Sequence, residues 1–153
     1  MAAYYMDSSA LVKRYAREAG TGWVLGLFRR AAGHIFFAAR IARVETAAAI
    51  VRKRRGGHIT ADAAARALRR MRRDFDTRIY VVEITPVLLQ TGEAMAEKHY
   101  LRGYDAVQLA AALEANAGRA GAGLPPLVFV SADGDLRAAA AAEGLATENP
   151  ESH

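Results

Sequence analysis

Short apolar segments that alternate with helical segments are the feature of this chain that most constrains its fold. Four segments have the composition of buried strands: residues 3–6, 34–38, 79–84 and 127–130. Helical patterns lie between them, and residues 146–148 have the composition of a short edge strand. Apolar strands separated by helices are typical of a parallel sheet that is covered on both faces. We therefore predict a single three-layer α/β/α sandwich with a central parallel sheet of four to five strands.

Capping residues and helix-breaking residues indicate where the helices begin and end. Thr85 followed by Pro86 is a typical helix start, and the pair Gly56-Gly57 ends the helix predicted over residues 41–54. Thr60 can cap the helix that follows these glycines. We predict helices over residues 8–15, 22–32, 41–54, 86–100, 105–117 and 133–143, and one that begins after Thr60.

Length and composition limit the chain to one domain without disulfide or thiolate chemistry. The 153 residues are 52% hydrophobic, enough for one core, and include no cysteine. We assign residues 1–149 to the domain and residues 150–153 to a polar C-terminal tail. The first residues lack a basic segment followed by an apolar one, and charges interrupt every apolar stretch, so we expect neither a signal peptide nor a membrane helix. These features predict a cytoplasmic protein.

Four acidic residues stand where the predicted fold would bring them together. Asp7 and Asp133 follow the first and fourth strands, Asp105 begins a helix, and Glu45 lies within one. Open parallel sheets bind ligands outside the carboxyl ends of their strands, where Asp7 and Asp133 would project. Converging carboxylates repel one another unless a cation neutralises them, and Mg²⁺ prefers oxygen ligands. The sequence therefore indicates a divalent-cation site suited to phosphate chemistry.

Each of the three aspartates also has a purely structural interpretation. Aspartate is a favoured N-cap, and Asp7, Asp105 and Asp133 all stand at predicted helix starts. Asp105 and Gln108 have the spacing of a capping box. Judged one at a time, a capping role is the stronger interpretation, although a capping carboxylate can keep an oxygen free for a metal.

Glu45 is harder to explain as a structural residue. Its helical neighbours three and four positions away are all isoleucine or alanine, so its side chain is expected to face the sheet or a cleft. A glutamate is almost never buried without a partner. Arg43 and Arg52 are candidate partners, but we favour a metal-binding or active-site role for Glu45.

Other polar residues adjoin the acids and could hydrogen-bond them. Ser8 follows Asp7 and Ser131 lies two residues before Asp133, so both serines are candidates to orient metal-binding carboxylates. Asp135 could supplement Asp133, but an acid in the first turn of a helix is equally expected from the helix dipole. The four histidines show no metal-ligand spacing.

A strongly basic segment lies between Arg52 and Arg73. It contains nine lysines and arginines against one acid, Asp62, although the whole chain has a net charge of +5. Such a concentration of charge is typical of a surface that binds a polyanion, and a solvated helix face is the alternative. The candidates for binding RNA or an acidic protein are Arg52, Lys53, Arg54, Arg55, Arg66, Arg69, Arg70 and Arg73.

The four acids lie in motifs whose order and spacing are distinctive together. Asp7 lies in Tyr-Tyr-Met-Asp-Ser-Ser-Ala-Leu-Val-Lys, Glu45 in Ala-Arg-Val-Glu-Thr-Ala-Ala-Ala, Asp105 in Arg-Gly-Tyr-Asp-Ala-Val-Gln-Leu-Ala and Asp133 in Val-Ser-Ala-Asp-Gly-Asp-Leu. These motifs resemble those of PIN-domain nucleases, especially the VapC-type toxins of bacterial toxin–antitoxin modules. The resemblance runs over nearly the whole chain, and Gln108 stands where the family often has histidine.

The resemblance implies a Mg²⁺- or Mn²⁺-dependent endoribonuclease. Asp7, Glu45, Asp105 and Asp133 would hold the metal directly or through water, and the metal would activate an attacking water. Cleavage would leave 5′-phosphate and 3′-hydroxyl ends on the RNA. The resemblance also implies a homodimer that is inhibited by a small antitoxin protein.

Two other functions remain open from the sequence. A non-catalytic RNA-binding or regulatory protein, whose acids are only helix caps, would bind RNA without a divalent metal. A phosphatase with Asp7 as its nucleophile would usually carry a second acid two residues later, where this chain has Ser9.

Overall fold

A parallel sheet of five strands lies at the centre of the molecule. The computed structural model describes all 153 residues. Its strands follow the order β3-β2-β1-β4-β5, and every neighbouring pair is parallel. The predicted three-layer α/β/α fold is confirmed. The strands are Ala3–Met6 (β1), Ile35–Ala39 (β2), Ile79–Val82 (β3), Val128–Val130 (β4) and Ala146–Glu148 (β5).

Seven α-helices cover the sheet, and none combines the length and apolar composition needed to span a membrane. Two predicted caps are present: the Thr60 and Thr85 hydroxyls each accept a hydrogen bond from a backbone N–H three residues later, both at 3.1 Å. The helices are Ser8–Tyr15 (α1), Thr21–Leu27 (α2), Arg40–Arg55 (α3), Ala61–Thr77 (α4), Pro86–His99 (α5), Gly103–Gly121 (α6) and Gly134–Ala142 (α7).

Two helices, α2 and α6, differ from their predicted bounds by more than one residue, and α6 extends to Gly121 instead of ending at residue 117. The helix predicted over residues 22–32 ends at Leu27, because Phe28 leaves it to stack on Phe36 of β2 with the ring centroids 3.8 Å apart. Residues 30–32 form a separate 3₁₀ turn. The α6 helix begins at Gly103, two residues before Asp105, so Asp105 lies inside the first turn and does not cap it.

Alternating side chains of the strands form two cores, one on each face of the sheet. Met6 and Phe36 face the layer that contains α1 to α4. Tyr5 and Phe129 face the layer that contains α5 to α7. All four side chains are at most 2% exposed, so the sheet is buried on both faces as a parallel sheet requires.

The strand order places a topological switch point at the carboxyl end of β1. This strand lies between β2 and β4, so the chain leaves β1 towards one side of the sheet and later returns to its other side. Crevices at such points are where open parallel sheets bind ligands. Asp7 is the residue that follows β1, and α3 and α7 also begin at this edge.

A buried ion pair fixes α1 to α4 away from this edge. Arg14 donates to both carboxylate oxygens of Asp74, at 2.6 and 3.2 Å, and the Tyr15 hydroxyl donates to the same carboxylate at 3.0 Å. The Arg14 guanidinium also lies 4.1 Å from the centroid of the Phe28 ring. The charge of Asp74 is therefore fully compensated inside the protein.

Residues 150–153, which the sequence suggested as a polar tail, make ordered contacts in the structure. Pro150–Ser152 form a 3₁₀ turn, and the Pro150 side chain is buried. The His153 ring stacks on Trp23 of α2 with the centroids 4.3 Å apart. This segment therefore packs against the helical layer.

Candidate active site

Asp7 lies buried at the switch point and is held by neutral donors. Its Oδ1 accepts hydrogen bonds from the Ser9 hydroxyl at 2.6 Å and from the backbone N–H of Ala10 at 3.0 Å. Its Oδ2 accepts one from the Ser131 hydroxyl at 2.7 Å. Asp7 therefore caps α1, as its position predicts, and no cation of the protein contacts it.

Burial without a cation makes the Asp7 carboxylate costly to ionise. Desolvation raises the pKa of Asp7 to about 6, although the hydrogen bonds from Ser9, Ser131 and Ala10 act in the opposite direction. The negative charge of Asp105 raises this pKa further. A positive charge brought to this position would relieve both effects.

Asp105 is the acid through which the four carboxylates interact. Burial raises the pKa of Asp105, and so does the charge of Asp133, while Arg102 opposes them. Asp105 in turn raises the pKa of Asp7 and of Glu45. The structure therefore brings Asp7, Glu45, Asp105 and Asp133 into one electrostatic cluster.

Asp133 combines a capping role with an exposed position. Its Oδ1 accepts a hydrogen bond from the backbone N–H of Leu136 at 2.9 Å, which caps α7 as predicted. Its own N–H donates to Ser131 at 3.0 Å, so Ser131 connects Asp7 to Asp133. Asp135 is exposed in the first turn of α7, and no contact joins it to the cluster.

Glu45 reaches the cluster from the second turn of α3 and is half-buried. Its Oε1 accepts a hydrogen bond from Gln108 Nε2 at 2.7 Å, and the Gln108 Oε1 accepts one from the Tyr5 hydroxyl at 2.6 Å. Desolvation raises the pKa of Glu45, and the hydrogen bonds from Gln108 and Ser8 oppose this rise. A neutral chain from the sheet thus orients Glu45.

These contacts rule out two structural alternatives that the sequence left open. Neither candidate arginine pairs with Glu45, since Arg43 bonds to Asp76 at 3.3 Å and Arg52 makes no ion pair. The capping-box interpretation of Asp105 and Gln108 is wrong, because Arg102 is the N-cap of α6 and the Gln108 amide donates to Glu45.

Sequence analysis did not predict two contacts of the candidate site. Ser9 bonds directly to Asp7 and also accepts a hydrogen bond from the Ala132 N–H at 2.9 Å, so it joins the ends of β1 and β4. Gln108 is buried and lies one turn after Asp105 on α6. A polar residue on an otherwise apolar helical stripe was the available signal for Gln108, as it was for Glu45.

An open cleft of about 630 Å³ reaches one acid of this cluster, Glu45. Glu45, Ser8 and Ser9 line it on the acidic side. Arg52 and the exposed ring of Tyr104 also line it. The cleft therefore offers acidic, basic and aromatic groups to a bound molecule.

The basic segment divides into two parts in the structure. Arg52 lies in the cleft, and Lys53 bonds to Glu18 beside it at 2.7 Å. The arginines of α4 are exposed on the side of that helix opposite the buried Met71 and Phe75. The exposed members of the segment are Arg52, Arg54, Arg55, Arg66, Arg69, Arg70, Arg72 and Arg73.

The donor set of the cluster suits a hard divalent cation, although its side chains do not form a closed coordination sphere. No three of the acidic and histidine side chains are arranged to hold one ion together. Mg²⁺ does not require this, since it keeps several waters and commonly binds protein through one or two carboxylates. Asp105 accepts no hydrogen bond that would lower its pKa, so its oxygens are available to a metal ion.

Comparisons with known proteins identify the family of the chain and agree with its fold. The family model described as PIN domain matches residues 4–142. The structure of PAE2754 from Pyrobaculum aerophilum is similar with a TM-score of 0.63 and 21% identity, over 99% of this chain and 92% of that one. FitAcB from Neisseria gonorrhoeae gives a TM-score of 0.61 and 13% identity, over 96% and 97% of the two chains.

A third similar structure contains nucleic acid. VapBC2 from Rickettsia felis, solved bound to a DNA fragment from its promoter, gives a TM-score of 0.59 and 12% identity, over 96% of this chain and 98% of that one. No curated protein sequence matches the chain. At these identities the solved structures establish the fold.

Proposed function

The chain belongs to the PIN domain family, and on that premise we propose that it is a metal-dependent endoribonuclease that hydrolyses RNA phosphodiester bonds. The observation that carries this proposal is the Asp7 carboxylate, which is 4% exposed, lies at the switch point of the sheet and has no counter-ion in the protein. The charge of Asp105 acts on Asp7 directly, and Glu45 and Asp133 each interact electrostatically with Asp105. Such a cluster is favourable when a cation joins it.

Asp7, Glu45, Asp105 and Asp133 are the residues that would hold Mg²⁺ or Mn²⁺, directly or through water. The bound ion would lower the pKa of a water molecule and stabilise negative charge on the phosphate. The protein's own contribution is orientation: Ser9 and Ser131 fix both oxygens of Asp7, and Gln108 fixes Glu45. Hydrolysis would leave a 5′-phosphate and a 3′-hydroxyl.

The basic segment supports a polyanionic substrate. Arg52 lines the cleft that contains Glu45, where it can bind a phosphate next to the one that is attacked. The α4 arginines do not line this cleft, and we assign them to more distant RNA phosphates or to an acidic antitoxin. Replacing Arg69 and Arg70 by glutamate separates the two roles, since the affinity for only one partner falls if the surface serves one of them.

We also propose that the chain is the toxin of a toxin–antitoxin pair, acting in the cytoplasm as a homodimer. The motif resemblance to VapC-type toxins supports this role. The similar VapBC2 structure was solved on promoter DNA, which is consistent with a partner that controls transcription. Co-expression with the product of the adjacent reading frame tests the pairing, because a cognate antitoxin co-purifies with the chain and suppresses its activity.

One alternative keeps a specific observation in its favour. Asp7 and Asp133 do accept the hydrogen bonds of helix caps, as a non-catalytic RNA-binding protein would require. That function does not explain the carboxylates of Asp105 and Glu45, because neither residue caps a helix. It predicts RNA binding with no cleavage at any metal concentration.

The deciding experiment is cleavage of mixed cellular RNA with and without Mg²⁺ or Mn²⁺. The Asp105→Asn variant is compared with Asp62→Asn, which removes an equal charge from the exposed start of α4. We expect discrete metal-dependent fragments with 5′-phosphates from the wild type and from Asp62→Asn, and none from Asp105→Asn. Intact RNA that still binds the protein would favour the alternative.

A further inference from the structure

The side chain of Lys13 is a buried cation in the wall of the candidate cleft. Lys13 belongs to the last turn of α1, its side chain is 2% exposed, and it lines the same cavity as Glu45 and Arg52. Lysine is almost never buried unless it is paired. Its Nζ donates to Glu18 Oε1 at 2.9 Å and to Glu151 Oε1 at 2.8 Å.

The two carboxylates that contact Lys13 are not equivalent. Glu18 also accepts from Lys53 Nζ at 2.7 Å, so its charge is shared between two lysines. The contact between Glu151 and Lys13 is the only ion pair of Glu151, and 44% of the Glu151 side chain is exposed. Glu151 can therefore leave Lys13 without uncovering a buried charge of its own.

The turn that carries Glu151 is built closely against the rest of the protein. The Glu151 N–H donates to the Asn149 side chain at 3.0 Å, and Pro150 is buried. Gly20 has φ of +86°, and a Cβ at that position would lie 2.4 Å from the Pro150 carbonyl oxygen. Only glycine allows both the backbone conformation and this close approach. The backbone of Glu151 is thus held at the edge of the cleft, and its contact with Lys13 depends only on the partly exposed side chain.

Glu151 accepts from Lys13 at the position where a phosphate of a bound polyanion would also accept. A carboxylate and a phosphate both accept charge-assisted hydrogen bonds from an ammonium group, so they compete for the same position. A strand of RNA that enters the cleft brings a phosphate to Lys13 and meets the like charge of Glu151.

We propose that Lys13 binds a phosphate of the RNA strand and that Glu151 occupies this position until the strand enters. This inference rests on the proposed function, because it requires RNA to be the ligand of the cleft. It adds to that function a substrate-binding residue and a carboxylate that lowers substrate affinity.

The test measures the affinity for a fluorescein-labelled single-stranded RNA by anisotropy, without divalent metal, in the Asp105→Asn background so that the RNA stays intact. Glu151→Gln is compared with Glu114→Gln, which changes the net charge equally at an exposed position outside the cleft. We expect Glu151→Gln to tighten binding about three- to tenfold and Glu114→Gln to change it much less.

A second variant shows whether the gain depends on Lys13. The double variant Lys13→Gln/Glu151→Gln leaves Glu18 paired with Lys53, so no unpaired charge is created in the wall. We expect the gain to disappear in this variant. The slope of log affinity against log salt concentration should also be shallower by about 0.7 in the double variant than in Glu151→Gln, which corresponds to one phosphate contact on a single strand.

The outcomes separate this inference from the proposed function. If the wild type cleaves RNA but Glu151→Gln binds no better than Glu114→Gln, the inference is wrong and the Lys13–Glu151 pair only joins two parts of the fold. If the double variant keeps the gain, Lys13 is not the phosphate ligand. If the chain neither binds nor cleaves RNA, the proposed function fails and this inference fails with it.

Discussion

Asp7 and Asp74 are almost equally buried, 4% and 3% exposed, but their surroundings differ. Asp74 receives two hydrogen bonds from the guanidinium of Arg14 and one from Tyr15. Asp7 receives three hydrogen bonds as well, but every donor is neutral. A buried acid with its own cation is explained by the fold, whereas a buried acid held only by neutral groups is costly to ionise unless a cation from outside the protein approaches it. The comparison therefore explains Asp74 as a structural residue and leaves Asp7 as the candidate for binding a cation.

The largest expected effect is on catalysis at Asp7. Asp7→Asn removes the negative charge and keeps an oxygen to accept from Ala10, so we expect RNA cleavage to fall by about 100- to 10,000-fold. Initial rates of cleavage, divided by the folded fraction, measure this. RNA affinity should stay close to that of the wild type. Cleavage at the wild-type rate would remove Asp7 from the mechanism.

Asp74 should show the opposite behaviour. Asp74→Ala leaves the Arg14 guanidinium buried without a partner, and we expect the free energy of unfolding to fall by about 3–5 kcal/mol. Urea denaturation of the two proteins measures the difference. The folded fraction of the variant should cleave RNA at the wild-type rate. A loss below about 1 kcal/mol would show that the two buried acids are not distinguished by their counter-ions.

The pH dependence of stability should identify Asp7 in the metal-free protein. The pKa of Asp7 is raised from 3.8 to about 6 in the folded chain, so between these pH values the folded state binds more protons than the unfolded state. The free energy of unfolding should therefore fall as the pH rises through this window, by up to about 3 kcal/mol from this group.

Asp7→Asn provides the control for that titration. The side chain at position 7 cannot ionise in this variant. We therefore expect the variant to be more stable than the wild type above pH 7 in the presence of a chelator. Its free energy of unfolding should also fall less as the pH rises from 4 to 7. Urea denaturation at several pH values tests this. Parallel stability profiles of the two proteins would contradict the assignment of the raised pKa to Asp7.

The smallest effect is expected at the neutral donors themselves. Tyr5→Phe removes the hydroxyl that donates to Gln108, so the amide of Gln108 is no longer fixed with its nitrogen towards Glu45. We expect cleavage to fall about three- to tenfold, equivalent to the loss of about 1 kcal/mol of hydrogen bonding. Steady-state kinetics should place this loss in kcat. An unchanged kcat would show that Glu45 is oriented without this chain of contacts.

Much of the fold was predictable because its signals are local. The strand at residues 3–6 and the α1 helix at residues 8–15 lie where the sequence predicts them, since an apolar run followed by a capping acid is sufficient to define both. The end of α2 was not predictable, because Phe28 leaves the helix to reach Phe36 on a different element. Boundaries set by tertiary packing carry no local signal.

The acids of the site were predictable, but the contacts that orient them were not. Asp7 and Ser131 are 124 positions apart, and Glu45 and Gln108 are 63 positions apart. Each pair comes into contact only when the chain folds. The distinction between Asp7 and Asp74 has the same origin, since the Arg14 partner lies 60 positions from Asp74. A single sequence shows which residues are polar on an apolar face, and it does not show which of them meet. The catalytic roles themselves stay predictions.

The double duty of Asp7 as helix cap and candidate ligand has an evolutionary consequence. Aspartate and asparagine codons differ by one base, and asparagine is as good an N-cap as aspartate. One transition in the gene would thus silence the proposed nuclease and leave a folded chain with the same surface. Lineages under pressure to lose the activity have a short genetic route to a binding protein, and descendants of that kind would be recognised by an asparagine after the first strand.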